Sequence, residues 1–189
     1  MVIGDGFPII LMSARRGEGH AVEVLYRDLA PSVLGYLRAQ RATNPEDVAS
    51  EVFVSMVRGL GGFTGDEPAF RAWVFTIAHR RFVDERRRAV RTHEAPEEPD
   101  RLAALASVRR TGNAEDEALA ELSGQAALRA LDRLTEDQRA VVLLRVLVDL
   151  PIRDVAHVLG KREGAIKALQ QRALSRLAGE EFSREAVSS

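Results

Sequence analysis

The chain has 189 residues, enough for one domain or two small ones, and is 46% apolar and 29% charged. A net charge of −1 excludes a molecule that binds nucleic acid by bulk charge, and the absence of cysteine excludes disulfides, thiolate metal sites and a cysteine nucleophile, which fits a reducing cytoplasm. The longest apolar runs, Phe7–Met12 and Val141–Leu144, are far short of a membrane span, and no basic stretch precedes the first, so neither membrane insertion nor a signal peptide is expected.

Residues 1–6 read as a loose tail. Residues 8–16 read as a short helix with Ile9, Ile10 and Met12 as its apolar contacts, broken by Gly17 and Gly19. From His20 to about Ala39, Val22, Leu25, Leu29, Val33 and Leu37 repeat near the helical period. Pro31 is expected to kink or divide that helix, because it removes a backbone hydrogen bond. Asn44-Pro45-Glu46-Asp47 is a helix start, with Asn44 as N-cap and Pro45 at the first position. Val48, Val52, Phe53, Met56, Val57 and Leu60 form its buried side, and Asp47, Ser50 and Glu51 lie away from that stripe.

A glycine-rich loop, Gly61-Gly62-Phe63-Thr64-Gly65, runs into Asp66-Glu67-Pro68 and opens the next helix. Pro68 suits the first turn, and the two carboxylates suit the positive end of the helix dipole. Phe70, Trp73, Val74, Ile77 and Ala78 give this helix one apolar face, and Thr76, His79, Arg80, Val83 and Arg87 fall on a second. It ends in the basic run Arg86-Arg87-Arg88. Alone, this pattern fits either an amphipathic surface helix with a solvated basic end or a helix that contacts nucleic acid, cations on phosphates and short polar groups on bases.

Residues 92–121 are acidic and punctuated by Pro96, Pro99 and Gly112, with poor apolar periodicity, and read as a linker in which Leu102–Ala106 could form a short helical turn. Leu119, Leu122, Ala126, Leu128, Leu131 and Leu134 mark the first helix of a second domain. Thr135-Glu136-Asp137-Gln138 is a capping-box pattern that opens a helix through Ala140, Val141, Leu144 and Leu147. Then come Pro151–Leu159, a turn at Gly160–Gly164 and a last helix of about Ala165–Leu177, the spacing of a helix-turn-helix or of an ordinary helical hairpin. In the last helix Ile166, Leu169, Ala173 and Leu177 face inward, while Lys167, Gln171 and Arg172 point elsewhere with Ala168 between them. Lys and Arg suit phosphates or guanine edges, and Gln suits adenine. Lys161 and Arg162 stand at the helix N-terminus, where phosphates are favoured. The expected fold class is all-α: a helical domain over 8–90, a flexible acidic linker over 91–117, and a four-helix module over 118–179 ending in the helix-turn-helix.

Together the two halves resemble bacterial sigma factors of the compact extracytoplasmic-function (ECF) group. The segment NPEDVASEVFV from Asn44 to Val54 resembles the family's polymerase-clamp-binding helix. Phe63–Arg88 resembles the strand-opening loop and minus-ten helix, and Leu131–Ala178 resembles the minus-thirty-five module. The resemblance implies that Asp47, Ser50 and Glu51 touch the polymerase. It assigns Phe63, Thr64, Gly65, Asp66, Arg71, Trp73, Thr76, His79, Arg80, Val83 and Arg87 to minus-ten DNA, with Phe63 stacking on a flipped base. It assigns Arg162, Ala165, Lys167, Ala168, Gln171 and Arg172 to minus-thirty-five DNA, the last helix lying in the major groove. The partners it implies are core RNA polymerase, promoter DNA and an anti-sigma factor, and it implies no cofactor. The chain departs from the family pattern where Ser50 replaces a frequent Gln, Arg80 a frequent Asn and Ala165 a frequent Thr.

Two other functions compete. A free-standing helix-turn-helix regulator accounts for 131–178 and leaves 44–88 without a purpose. A helical enzyme lacks support, because His20, His79, His93 and His157 are scattered without metal-ligand spacing, and no nucleophile motif or phosphate-cradling loop is present.

Overall fold

The computed structural model describes residues 3–92 and 127–178, and all regular structure among them is helical. The chain divides into two units, residues 1–100 and 101–189. The expected linker 91–117, apart from the last turn of the fourth helix at 91–92, lies outside the described residues, as do the helical turn at 102–106 and the start of the second domain up to 126.

The first unit contains α1 (Phe7–Arg15), α2 (Gly19–Ala39), α3 (Pro45–Gly59) and α4 (Glu67–Thr92), with short 3-10 turns at Gly4–Gly6 and Leu60–Gly62. α3 packs on both α4 and α2, and α1 packs on α2. The core is built from Leu25, Leu29, Val33, Tyr36 and Leu37 of α2, Val52 and Met56 of α3, and Phe70, Val74, Phe75, Ala78 and Phe82 of α4. α4 thus turns Phe75 and Phe82 inward beyond the expected stripe, while Ile77 is only half-buried.

Several local expectations are corrected. Residues 4–6 are not a loose tail: the backbone N–H groups of Ile3 and Gly4 donate to the two carboxylate oxygens of Glu67 at 3.0 and 2.7 Å, tying the N-terminal segment to the start of α4. α1 buries Phe7, Leu11 and Ala14, not Ile9 and Met12, which are exposed. The helix starts one residue earlier than its periodicity suggested, and Phe7 sets the face by packing on Phe70, ring centroids 5.4 Å apart. Pro31 does not divide α2, which runs through it. Asn44 makes no side-chain cap, and its backbone N–H donates to Glu85 of α4 at 2.8 Å instead, so a tertiary contact holds the start of α3. Val57 is exposed, one residue past the buried edge formed by Val52, Phe53 and Met56.

The second unit contains a helix over 127–132, here α5, followed by α6 (Glu136–Val146), α7 (Ile152–Leu159) and α8 (Glu163–Ala178). The capping box forms as expected: Gln138 N–H donates to Thr135 Oγ1 at 3.3 Å, and Thr135 N–H donates to Gln138 Oε1 at 3.1 Å. Arg139, which carries no periodic signal, is buried and donates from Nε to the Leu131 carbonyl at 2.9 Å and from Nη2 to the Leu134 carbonyl at 3.2 Å. It therefore ties α6 to the end of α5 and to the turn that follows through two backbone carbonyls. Gly160 closes α7 at φ 61°, a left-handed conformation that favours glycine. α8 begins at Glu163, so Gly164 lies inside the helix rather than in the turn. Ile166 and Ala173 face the core fully, with Leu169 and Leu177 half-buried beside them.

Candidate nucleic-acid and polymerase interface

Three surfaces carry the expected site residues. The first is the outer face of α3. Asp47, Ser50 and Glu51 are all exposed on it. Ser50 Oγ donates back to the Glu46 carbonyl at 2.9 Å. Glu51 accepts from Arg81 of α4 at 3.2 Å, and the same guanidinium donates to Ser55 Oγ at 3.0 Å. Glu46 belongs to the fold rather than to this face: Arg38 hydrogen-bonds its carboxylate and holds it below the usual carboxylate range. Val54, 49% exposed, and Val57, 44% exposed, extend the face with apolar groups that sequence reasoning missed. Continuing the spacing 47, 50, 51 by one further turn would have found Val54.

The second surface is the loop ahead of α4 with the outer side of that helix. Thr64, Gly65 and Asp66 are exposed. Asp66 Oδ1 accepts from the Ala69 N–H at 2.9 Å and caps α4. Gly65 has φ 154°, and a Cβ there would stand 3.0 Å from both Ala69 Cβ and the Phe63 ring. Phe63 is turned into the core rather than displayed at the loop tip. It is 9% exposed and packs on Phe70 and Trp73, both centroids at 5.2 Å. The apolar cluster of Phe7, Phe63, Phe70 and Trp73 captures it, because burial of a phenyl ring outweighs display at a loop tip. Trp73, half-buried, lies over Gly59, whose missing side chain makes the contact possible: a Cβ there would fall 2.6 Å from the indole.

On α4 itself the expected face is split. Thr76 is buried, 5% exposed, and its Oγ1 donates to the Ala72 carbonyl at 2.9 Å, so it does not belong to the outer face. Its hydroxyl is satisfied within the helix, and this lets it sit inward beside Phe75. Arg71 turns inward to an ion-pair cluster, 2.9 Å from Asp28 and 3.4 Å from Glu67, with its side chain only 16% exposed. It serves the fold rather than standing as a surface cation. His79 and Val83 are half-buried, and Arg80 and Arg87 are exposed. Arg87 has a long contact to Asp84 at 3.9 Å. His79 Nδ1 lies 2.9 Å from the hydroxyl of Tyr36.

The third surface is on α8. Arg162, Ala165, Lys167, Ala168, Gln171 and Arg172 are all exposed. The Arg162 carbonyl accepts from Ala165 N–H and Ile166 N–H at 2.9 and 3.2 Å. Lys161 Nζ pairs with Asp137 of α6 at 3.0 Å. Among the described residues no three His, Asp or Glu side chains cluster to hold a metal ion, and no helix is long and apolar enough to cross a membrane.

Comparison with known proteins agrees with this layout. The family model for sigma-70 region 2 matches residues 25–92, and that for sigma-70 region 4 matches residues 124–177, together more than half of the chain. Regions 2 and 4 in this order define a sigma-70-type transcription initiation factor. The chain is 36% identical over 167 residues to the ECF RNA polymerase sigma factor BldN of Streptomyces coelicolor, a match covering 87% of this chain and 62% of that protein. It is 31% identical over 179 residues to the ECF RNA polymerase sigma factor ShbA of Streptomyces griseus, covering 87% of this chain and 89% of ShbA. The chain belongs to the ECF RNA polymerase sigma factors. Its fold is that of CnrH in the solved complex of CnrH with the cytosolic domain of CnrY, with TM-score 0.66, 23% identity, and coverage of 95% of this chain and 99% of that one.

Proposed function

We propose that the chain binds core RNA polymerase through the outer face of α3 and directs it to promoters. Thr64–Asp66, His79, Arg80, Val83 and Arg87 read the minus-ten element, and α8 reads the minus-thirty-five element. The acidic linker 91–117 spans the interval, and its charge complements a polymerase channel built for nucleic acid. The chain works in the cytoplasm, supplies no catalytic group or cofactor of its own, and leaves the chemistry to the polymerase. An anti-sigma factor that covers these faces is part of the same reading.

The observation that carries it is the pairing of the two matched regions with an exposed polar face on each: Asp47, Ser50 and Glu51 in one, and Lys167, Gln171 and Arg172 in the other. A free-standing helix-turn-helix regulator would use only the second. Gel shift on promoter DNA with and without core polymerase separates the two. With a net charge of −1, the isolated chain binds weakly and specific binding appears only with core. Tight specific binding by the chain alone at physiological salt would defeat the proposal.

Within α8, Arg172→Ala is expected to weaken use of the minus-thirty-five element by about 1–3 kcal/mol, confined to one base pair. Lys167→Ala acts evenly across sequences and lowers the salt slope of binding by about one, as loss of a phosphate contact does. The check is transcription from promoters that depend on the element, with single base-pair changes across it. Unchanged output from both variants means that another face of α8 enters the groove.

A further inference from the structure

We infer that α1 and the residues just before it brace the loop ahead of α4 at both ends, which makes Gly4, Arg15 and Glu67 positioning residues for that loop, an inference that rests on the proposed role of Thr64–Asp66 at the minus-ten element.

The upstream hold is on the Leu60 carbonyl. It accepts from Arg15 Nε, at the end of α1, at 3.1 Å and from the Phe63 N–H at 3.3 Å. The second bond closes the 3-10 turn Leu60–Gly62, and the first ties that turn to α1. The downstream hold is on Glu67. Ile3 is right-handed, at φ −66° and ψ −31°, and Gly4 is left-handed, at φ 66°. Successive residues in that order turn their N–H groups into one concavity that takes an anion. The anion here is the Glu67 carboxylate, whose Oε1 accepts from Ile3 N–H at 3.0 Å and whose Oε2 accepts from Gly4 N–H at 2.7 Å. Arg71 lies 3.4 Å from the same Oε1 and links it to Asp28 of α2. The Glu67 side chain is only 11% exposed, so it is engaged inside the unit rather than offered to DNA.

Between the two holds, Phe63 is packed on Phe70 and Trp73, and Phe70 is in turn held by Phe7 of α1. Thr64, Gly65 and Asp66 are thus exposed residues whose neighbours on either side, Phe63 and Glu67, are both fixed. Groups that meet a base edge have to be held to within about 0.5 Å by supporting residues. A clasp that only stabilises the fold lowers the melting temperature and leaves base preference alone. A clasp that positions the loop changes preference in molecules that remain folded.

The test uses the full chain with core polymerase and a promoter library randomised across the minus-ten element. A Cβ at Gly4 meets nothing within 4 Å, so Gly4→Val acts by opposing the left-handed backbone. Gly4→Asn is the conservative variant, because Asn visits that conformation. Glu67→Gln replaces one acceptor oxygen by an NH2 group that faces a donor. Gly4→Val and Glu67→Gln should each lower the preference at one position by about tenfold, with capture of core polymerase unchanged. Gly4→Asn should keep the wild-type preference, and Gly4→Val should add little to Glu67→Gln. Arg15→Met should lower the same preference from the other end of the loop. In the isolated chain, Gly4→Val should cost the Phe63 and Ala69 N–H groups protection against hydrogen exchange. A loss spread evenly over the library overturns the inference, as does a Gly4→Val chain that melts lower yet keeps the wild-type preference. The loop variant Thr64→Ala with Asp66→Asn separates the two ways of failing. If it shifts the preference and Gly4→Val does not, the brace is refuted. If neither shifts it, the role of the loop at the element is refuted, and the inference with it.

Discussion

With Asp47 and Glu51 both changed to Lys, the chain is expected to lose capture of core RNA polymerase while melting close to the wild-type temperature. The two carboxylates are four residues apart on α3, so they project from one face, and both are exposed. Changing both to ammonium groups reverses the sign of the polar half of that face. Like charges brought together in an interface cost several kcal/mol, enough to remove an association that the proposed role requires. The fold has little at stake in either group. Glu51 pairs with Arg81 at 3.2 Å, with side chains 48% and 40% exposed, and a pair so wet is worth about 0–1 kcal/mol. Asp47 in the first turn of α3 adds a helix-dipole term of about 0.3–1 kcal/mol. A pull-down on immobilised core polymerase, read beside a melting curve, is the check. Retention of the double variant would mean that the polymerase docks elsewhere.

Phe63→Ala is expected to cost the first unit about 3–5 kcal/mol of stability, as other Phe truncations in packed cores do. The ring is 9% exposed and bridges Phe70 and Trp73, each 5.2 Å away between centroids, and Phe70 in turn meets Phe7 of α1. Truncation would leave a cavity at the junction of the loop, α1 and α4. Urea unfolding should therefore show a lower midpoint with an unchanged slope. A variant as stable as the wild type but unable to open promoters would return Phe63 to the role of a base-stacking residue. Thr64, Gly65 and Asp66 are exposed beside it, and under the proposed function they are the loop residues left to meet a flipped base.

How much of this was legible beforehand follows from where the deciding forces act. The helix-turn-helix could be read well, because its cues are local: a capping box at Thr135 and Gln138, a left-handed glycine at 160, and an inward stripe through Ile166 and Ala173. The face of α3 was also legible, since Val48, Val52 and Met56 recur every four residues on the buried side and Asp47 and Glu51, also four apart, fall on the exposed one. Misplacements occurred where a distant partner decides. Nothing near Arg71 in the sequence announces Asp28, 43 residues away, as its acceptor. Phe63 reads as a loop tip in sequence, yet Phe70 and Trp73 stand beside it, and the buried face of α1 is set by Phe70 across from Phe7, a contact that periodicity does not carry. Thr76 looked polar by type, yet its hydroxyl is spent on the Ala72 carbonyl within its own helix.

The glycines between 59 and 65 look alike in composition, but they differ in how much variation each position can absorb. A Cβ at Gly59 would strike the indole of Trp73 at 2.6 Å, and one at Gly65 would press on Phe63 and Ala69 at 3.0 Å, in a backbone conformation that L side chains rarely adopt. At Gly61 and Gly62 a Cβ would meet nothing within 4 Å, and neither has a positive φ. At two of the four positions a larger residue forces a neighbour to move, and two are open to many. Diversification of the segment in a library should run freely through 61 and 62 and be penalised at 59 and 65. The middle of this stretch can change without disturbing the aromatic floor of Phe63, Phe70 and Trp73 on which it rests.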